Sequence, residues 1–257
     1  MEFPEQERVV YDTNPLVEVV CQLRYHQVFA IDETVPAGFQ RDLGSYYPKA
    51  STRVSNTFQI GAGSPDARSS AQRTLYDFVT EQDDIRVTLA SDFLAISSPD
   101  YRQWESFKGH IQAAMNALQR NYPIGGYTRV GLRYVNLIDR ERLDLDVKWD
   151  QLIRSSALGL LADEDVPIGD LTEHSNTSIF QLPNGKLALR QGLRLKDGQP
   201  DGSYVIDSDI FTDEGMVAND DVTDLLRQFN ATARNAFRWL ISERLHERLG
   251  PSSPAAG

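Results

Sequence analysis

The sequence contains one cysteine, Cys21, among 257 residues, so no disulfide bond can form within the chain. It also lacks an apolar run of the about 18 residues that would suggest a membrane-spanning helix. Residues 1–12 are acidic and do not contain the apolar segment of a signal peptide. We therefore expect a cytoplasmic protein with no membrane partner.

Basic residues are also scarce, since 26 Lys and Arg stand against 37 Asp and Glu, a net charge of −11. A chain this acidic is repelled by nucleic-acid phosphates, which disfavours general nucleic-acid binding, and it suits a basic protein partner. The hydrophobic fraction of 40% is ordinary for a soluble protein with a sizeable core.

Catalytic and metal motifs are missing from the sequence. It has no Cys-x-x-Cys, no His-x-x-x-His, no glycine-rich phosphate loop and no Gly-x-Ser-x-Gly elbow. We therefore predict no catalytic residue and no cofactor. The acidic cluster at residues 163–165 and the pair Asp207 and Asp209 are weak candidates for Mg²⁺ or Ca²⁺ ligands. The alternative, which we favour for Asp207 and Asp209, is ion pairing on a solvated strand face.

A weak internal repeat is the strongest pattern that the sequence does contain. Leu23-Arg24-Tyr25 is matched by Leu132-Arg133-Tyr134, and residues 92–101 are echoed by residues 203–211. A long amphipathic helix is predicted after each of these second segments, because apolar residues recur there every three or four positions. A repeat at about half the chain length indicates two structurally similar halves.

Period-two alternation and turn residues place the other elements. We predict strands at residues 16–25, 58–60, 74–81, 85–90, 93–97, 127–139, 177–182, 187–195 and 204–211. We predict short helices at 33–46 and 149–158, long helices at 101–120 and 222–248, and loops at 61–72, 162–170 and 197–202. The domain boundaries that follow are an arm at 1–14, repeats at 15–126 and 127–250 that pack as one module, and a disordered tail at 251–257.

The predicted fold class is α+β. Each half is expected to contain a strand, a short helix, three or four antiparallel strands and a long helix, and the two halves form one curved antiparallel sheet. This element order resembles the fold of the TATA-box-binding protein, although no TATA-binding motif is present and the acidic charge argues against that ligand. Two long helices cover only one face of such a sheet, so the other face should stay open.

Three blocks of sequence carry a family resemblance: Asn14-Pro15-Leu16-Val17-Glu18-Val19, Arg133-Tyr134-Val135-Asn136 and Tyr204-Val205-Ile206-Asp207-Ser208-Asp209. In these blocks the chain resembles the TIGR04255 family of sporadically distributed bacterial and archaeal proteins of about this length. The resemblance implies a single full-length module and supplies no activity. Genes distributed in this way often serve in defence or toxin neutralisation.

Arginines on solvated strand faces are the best candidates for binding residues. Arg24 and Arg133 occupy equivalent repeat positions, and Arg190 and Arg194 share one side of a later strand. We expect these arginines to line the open face, with Gln22, Asn136 and Gln191 nearby. Guanidinium groups bind carboxylates and phosphates through paired hydrogen bonds. The alternative is that the arginines only pair with Glu18, Asp77 and Asp207 of neighbouring strands.

We therefore predict a non-enzymatic binding or regulatory protein that engages a protein partner through the open sheet face, in a bacterial defence or toxin-neutralising setting. A nucleotide or nucleic-acid binder that uses the same arginines is the first alternative. A metal-dependent hydrolase centred on Asp207 and Asp209 is the second.

Overall fold

A computed structural model of the chain describes residues 3–60, 68–163, 165–167, 171, 173–196, 199–212 and 214–253. Within these residues there are eleven β-strands and six α-helices. The strands are β1 (Val10–Tyr11), β2 (Leu16–Arg24), β3 (Lys49–Ile60), β4 (Arg68–Val79), β5 (Arg86–Ala90), β6 (Phe93–Ser98), β7 (Arg129–Ile138), β8 (His174–Leu182), β9 (Gly185–Lys196), β10 (Gln199–Phe211) and β11 (Pro251–Ser252). The helices are α1 (Phe29–Glu33), α2 (Ala37–Leu43), α3 (Trp104–Asn121), α4 (Ser155–Leu158), α5 (Val222–Leu240) and α6 (Glu243–Arg248).

Nine of the strands form one sheet in the order β3-β4-β5-β6-β2-β7-β10-β9-β8. Every neighbouring pair in it is antiparallel. The fold is therefore α+β with a nine-stranded antiparallel sheet, as the sequence predicts. The strands β2 and β7, which carry the two Leu-Arg-Tyr segments, lie side by side at its centre.

Alternation along the strands assigns one face of the sheet to the core. In β2, Val19, Cys21 and Leu23 are fully buried, whereas Gln22 and Arg24 between and beyond them are not. The buried residues join one apolar cluster that extends from Phe3 to Leu249 and includes residues from all six helices. The helices therefore pack on one face of the sheet, and no helix in the described ranges covers the other.

Two predicted helices are interrupted. The short helix expected at residues 33–46 is replaced by α1 and α2, because Pro36 cannot continue a helix and instead precedes α2. The long last helix ends at Leu240, where Ile241 turns to extended backbone and bridges Ile153. Ser242 then starts α6 by accepting a hydrogen bond from the Leu245 amide.

Some boundaries also differ from the prediction. The strands β3 and β4 form a longer hairpin than expected, since residues 68–72 are strand and not loop, while residues 61–67 lie outside the described ranges. Helix α3 starts at Trp104, three residues later than predicted, and Gln103 is its N-cap residue. The segment expected as one short helix at residues 149–158 instead contains a 3₁₀ turn at Trp149–Gln151 and helix α4. A second 3₁₀ turn, Gly159–Ala162, follows directly after α4.

The turn at Asn184-Gly185 joins β8 and β9 in a hairpin. Gly185 has a φ of +145°, and a Cβ there would lie 2.2 Å from the carbonyl oxygen of Phe211, so this turn requires glycine.

The N-terminal arm packs against the helical layer. The ring of Phe3 contacts the rings of Phe180 and Trp239 edge-on, at centroid distances of 5.6 and 5.5 Å. Further along, β1 pairs with β11, so Pro251–Ser252 of the predicted tail form a strand, while residues 254–257 lie outside the described ranges.

Candidate functional site

The uncovered face of the sheet carries a group of arginines on β2, β7 and β9. Residues of β7 alternate so that Val130, Leu132 and Tyr134 enter the core and Arg133 points to the opposite face. We call the arginines on this side the arginine face, whose members are Arg24, Arg129, Arg133, Arg190 and Arg194. Sequence alternation predicts four of these five.

Asp207 of β10 lies between two of these arginines. Its carboxylate accepts hydrogen bonds from Nε and Nη2 of Arg133 at 2.8 and 2.9 Å, and Nη1 of Arg190 lies 3.6 Å away. Asp207 is only 6% exposed, whereas the side chains of Arg133 and Arg190 are 44% and 48% exposed. The hydrogen bonds from Arg133 to Asp207 raise the pKa of the Arg133 guanidinium. Asp207 therefore fixes the two arginines while leaving their outer edges in solvent.

Arg129 is a member of this face that the sequence analysis does not identify. Its guanidinium lies 4.5 Å from the centroid of the Phe211 ring and within 3.4 Å of Asp209 and Gln22. A Cβ on Gly131 would lie 2.6 Å from Nη1 of Arg129, so the glycine leaves the space that the guanidinium occupies. Burial lowers the pKa of Arg129. The sequence signal for Arg129 is the alternation Arg-x-Gly-x-Arg at residues 129–133, which overlaps the second Leu-Arg-Tyr segment.

Two arginines of the face have no carboxylate partner in the described part of the chain. Nε of Arg24 donates a hydrogen bond to Oε1 of Gln22 at 3.2 Å, and no salt bridge involves Arg24. Arg194 lies opposite Ser203 in the register of β9 and β10. No ion pair within the described ranges involves Arg194. These two guanidinium groups, together with the exposed edge of Arg190, are the ones available to a ligand.

Asn136 and Gln191 do not belong to the arginine face, which corrects the prediction. Asn136 is 6% exposed and its register partner on β10 is the fully buried Ile206. Gln191 is 7% exposed and lies between the core residues Leu189 and Leu193. Adjacent residues of a strand point to opposite faces, so neither side chain can lie beside its neighbouring arginine. Gln22 is placed on the face as predicted.

A second cluster on the same side of the sheet lies in the N-terminal half. Asp77 is 1% exposed and accepts hydrogen bonds from Arg53 and Thr88, while Arg86 lies 3.4 Å away. Burial acts to raise the pKa of Asp77, but the hydrogen bonds and the two positive charges outweigh it and hold the pKa below its ordinary value. This cluster repeats the Asp207 arrangement with one buried carboxylate and two half-exposed arginines.

The charge of the arginine face differs from that of the whole chain. Its five arginines outnumber the carboxylates on the same side of β2, β7 and β10 among the side chains that the structure describes, which are Glu18, Asp207 and Asp209. The chain as a whole has a net charge of −11. Because charges on a protein surface are screened beyond about 8–10 Å at physiological salt, a molecule at this face meets the local positive charge.

Of the acidic candidates, Asp207 and Asp209 are arranged as ion pairs. Asp207 bonds to Arg133, and Asp209 lies 3.4 Å from Nη2 of Arg129. Asp163 accepts a hydrogen bond from the backbone amide of Asp165, while residue 164 lies outside the described ranges. No group of three His, Cys, Asp or Glu side chains suited to a metal ion occurs among the residues that the structure describes. The pairing follows the alternative that the sequence analysis favours for Asp207 and Asp209.

A comparison with protein-family models gives no match to the chain, and a comparison with curated proteins gives no significant match. Among the described helices, none has the length and apolarity that crossing a membrane requires. The arginine face is thus characterised by its own geometry alone.

Proposed function

We propose that this protein is a non-enzymatic binding protein that engages a partner protein through the arginine face. The observation that carries the proposal is the placement of Arg24, Arg133 and Arg190 on adjacent parts of a sheet surface that no described helix covers. The buried carboxylate of Asp207 holds Arg133 and Arg190 in position, so part of the ordering cost is met before a partner arrives. A solvated sheet with only a structural role does not require guanidinium groups without carboxylate partners.

The partner segment is proposed to be acidic. Composition favours a basic partner, and such a partner would suit the acidic remainder of the surface. At the arginine face, however, a basic segment would meet like charge, whereas carboxylates can form paired hydrogen bonds with guanidinium groups. A short acidic segment fits within the face, while a long nucleic acid would extend onto the acidic surface around it.

The wider setting is a proposal as well. Membership of the TIGR04255 family would imply a bacterial or archaeal protein, and the defence or toxin-neutralising role follows from the distribution of that family. We place the protein in the cytoplasm, where the buried thiol of Cys21 stays reduced. Co-purification with the products of adjacent genes tests this setting.

We also propose that the sheet is a duplication with the element order of the TATA-box-binding protein. Supporting this, β2 and β7 are neighbours, and each pairs on its other side with the last sheet strand of its own half, β6 or β10. Each half then ends in a long helix, α3 or α5.

The binding test uses a fluorescein-labelled peptide of alternating Glu and Leu, with single-stranded DNA of similar charge as the second probe. We expect the peptide to bind the wild type and the variant Arg24→Glu plus Arg190→Glu to bind it at least about tenfold more weakly. Arg227→Glu on α5 is the matched control, since that side chain is 60% exposed and lies on the helical layer.

The outcomes separate the candidate functions. Tighter binding of DNA than of the peptide, lost in the double variant, would support the nucleic-acid alternative. The Arg227→Glu control would lose as much peptide affinity as the double variant only if the effect depended on net charge and not on the arginine face, and that result would contradict the proposal. Binding of neither probe would also contradict it.

A further inference from the structure

On the other side of the sheet, a cleft lies between the N-terminal arm, the start of α3, α5 and the core-facing side of β7 and β10. We call it the arm cleft, and the residues that matter for its chemistry are Tyr101, Tyr134, Arg142, Ser208, Asn230 and Arg234. Its volume is about 780 Å³. That volume falls within the about 300–1,000 Å³ typical of small-molecule sites.

Two polar groups that line this cleft have no hydrogen-bond partner among the described residues. Ser208 is 1% exposed, and its Oγ accepts and donates no hydrogen bond. Nε of Arg234 is likewise buried and unbonded. Nearly all buried polar atoms in proteins are hydrogen-bonded. A free hydroxyl and a free N–H beside the same cavity are therefore donors placed for an acceptor that a ligand supplies.

The lining of the arm cleft is rich in donors. The hydroxyl of Tyr134 donates to Oδ1 of Asn230 at 2.8 Å, which leaves the amide N–H groups of Asn230 for a ligand. Burial raises the pKa of Tyr101 to about 12, so this phenol stays protonated. Arg142 and Arg234 have no carboxylate within 4 Å in the described ranges. An acceptor-rich ligand, and above all an anion, complements this lining.

The other charged groups around the cleft are mostly neutralised. Arg8 lies 3.6 Å from Glu105, and Arg102 lies 3.2 Å from Asp100. Asp12 is the remaining carboxylate of the lining. Helix α3 begins at the cleft without a side-chain cap, and the acidic residue in its first turn is Glu105, which also pairs with Arg8.

We infer that the arm cleft binds a small organic anion, a carboxylate or a phosphate ester with an apolar body. Its charged group would be held by Ser208 and Arg234, and its apolar body would lie against Leu16, Tyr101 and Phe237, which also line the cleft. This site goes beyond the proposed function, because it lies on the helical side of the sheet and shares no residue with the arginine face.

Three probes with one aromatic body test the inference by isothermal titration calorimetry on the full chain: 1-naphthyl phosphate, 1-naphthoate and neutral 1-naphthol. We expect at least one of the anions to bind about tenfold or more tightly than naphthol. The better of the two anions identifies the head group. Equal affinity of all three probes, or no binding of either anion, would overturn the inference.

Variants locate the binding. Ser208→Ala should weaken the preferred anion about fivefold, the usual worth of one hydrogen bond, without lowering the melting temperature of the free protein, because Oγ has no bond to lose. Arg234→Gln should weaken it about tenfold or more. Arg227→Gln, on the exposed side of α5, and Arg190→Gln, on the arginine face, are controls that should leave the affinity unchanged. Unchanged affinity in both Ser208→Ala and Arg234→Gln would place the ligand elsewhere and refute the inference, whatever the result for the acidic peptide.

Discussion

Replacing Asp207 with asparagine tests the arrangement of the arginine face directly. The wild-type carboxylate accepts two hydrogen bonds from Arg133, and Arg190 lies 3.6 Å from its second oxygen. Asparagine has nearly the same shape, but it lacks the negative charge and turns an N–H group toward one of the guanidinium N–H groups. Arg133 and Arg190 would then lie close together without the negative charge that offsets their mutual repulsion.

The expected magnitude follows from burial. A hydrogen bond to a charged group contributes roughly 1.5–3 kcal/mol, and Asp207 itself is 6% exposed. The two arginine side chains are 44% and 48% exposed, so water compensates a large part of the loss. We expect the free energy of unfolding to fall by about 1–2 kcal/mol. For a chain of this size that is a fall in melting temperature of roughly 2–8 °C.

Urea unfolding followed by circular dichroism measures this change. The control is Asp224→Asn, whose side chain is 71% exposed and pairs with Arg227 on the same helix, and for which we expect a change within about 0.5 kcal/mol. Affinity for the acidic peptide should rise, because removing a negative charge from the arginine face outweighs the loss of the positioning that Asp207 gives to Arg133. Equal stability losses in the two variants, or weaker peptide binding by Asp207→Asn, would contradict the roles assigned to Asp207 and Arg133.

Three further predictions concern the rest of the fold. Hydrogen bonds from partners including Arg53 hold the pKa of Asp77 below its unfolded value despite burial, so its contribution to stability is present above about pH 4 and is lost as the pH falls through the lower folded pKa. In urea titrations, the free energy of unfolding of Asp77→Asn should therefore fall less below about pH 4 than that of the wild type. Cys21 is fully buried and burial raises its pKa, so a thiol reagent should react only as fast as the protein unfolds. Phe3→Ala should lower the free energy of chemical unfolding by about 2–4 kcal/mol. Phe29→Ala, at a position 67% exposed, should change it little.

Period-two alternation was enough to predict the central strands. In β2, buried Val19, Cys21 and Leu23 alternate with residues on the other face, and the same pattern in β7 makes the two strands recognisable from sequence. The long hairpin of β3 and β4 was not recognised to its full length, because residues 68–72 have a composition typical of loops. Their strand conformation comes from pairing with β3, which is a contact between segments and not a property of either one.

The helix interruptions had local signals. Pro36 restricts the residue before it and removes a backbone donor, and Ser242 is a favourable N-cap residue. The second break has a weaker sequence signal, because buried Leu240 and Ile241 continue the apolar stripe of α5 up to the break. A break that lies inside a continuous apolar pattern is decided by tertiary contacts, here the bridge from Ile241 to Ile153.

For the candidate site, alternation identified Arg24, Arg133 and Arg190, because each follows or precedes a buried residue in a clear strand. Asn136 lies on the face opposite to Arg133, because three positions separate the two residues and an odd spacing along a strand changes the face. Asp77 is among the expected arginine partners, but alternation does not identify Arg53 and Arg86 as the residues that pair with it, because these two arginines come from different strands. Cross-strand neighbours can be assigned only when the register is known, and the register depends on turns and bulges that the sequence specifies weakly.

The arginine face and the arm cleft are built from neighbouring residues of the same two strands. Arg133 and Asp207 belong to one face, and Tyr134 and Ser208, one position further along each strand, belong to the other. Because antiparallel pairing fixes β7 and β10 in one register, both sites depend on the same set of backbone hydrogen bonds. A side-chain substitution on one face leaves the other face in place, but a one-residue slip of either strand would exchange the faces and destroy both sites together. The two sites can therefore be tested separately by point substitutions, while their geometry is a single property of the central strands.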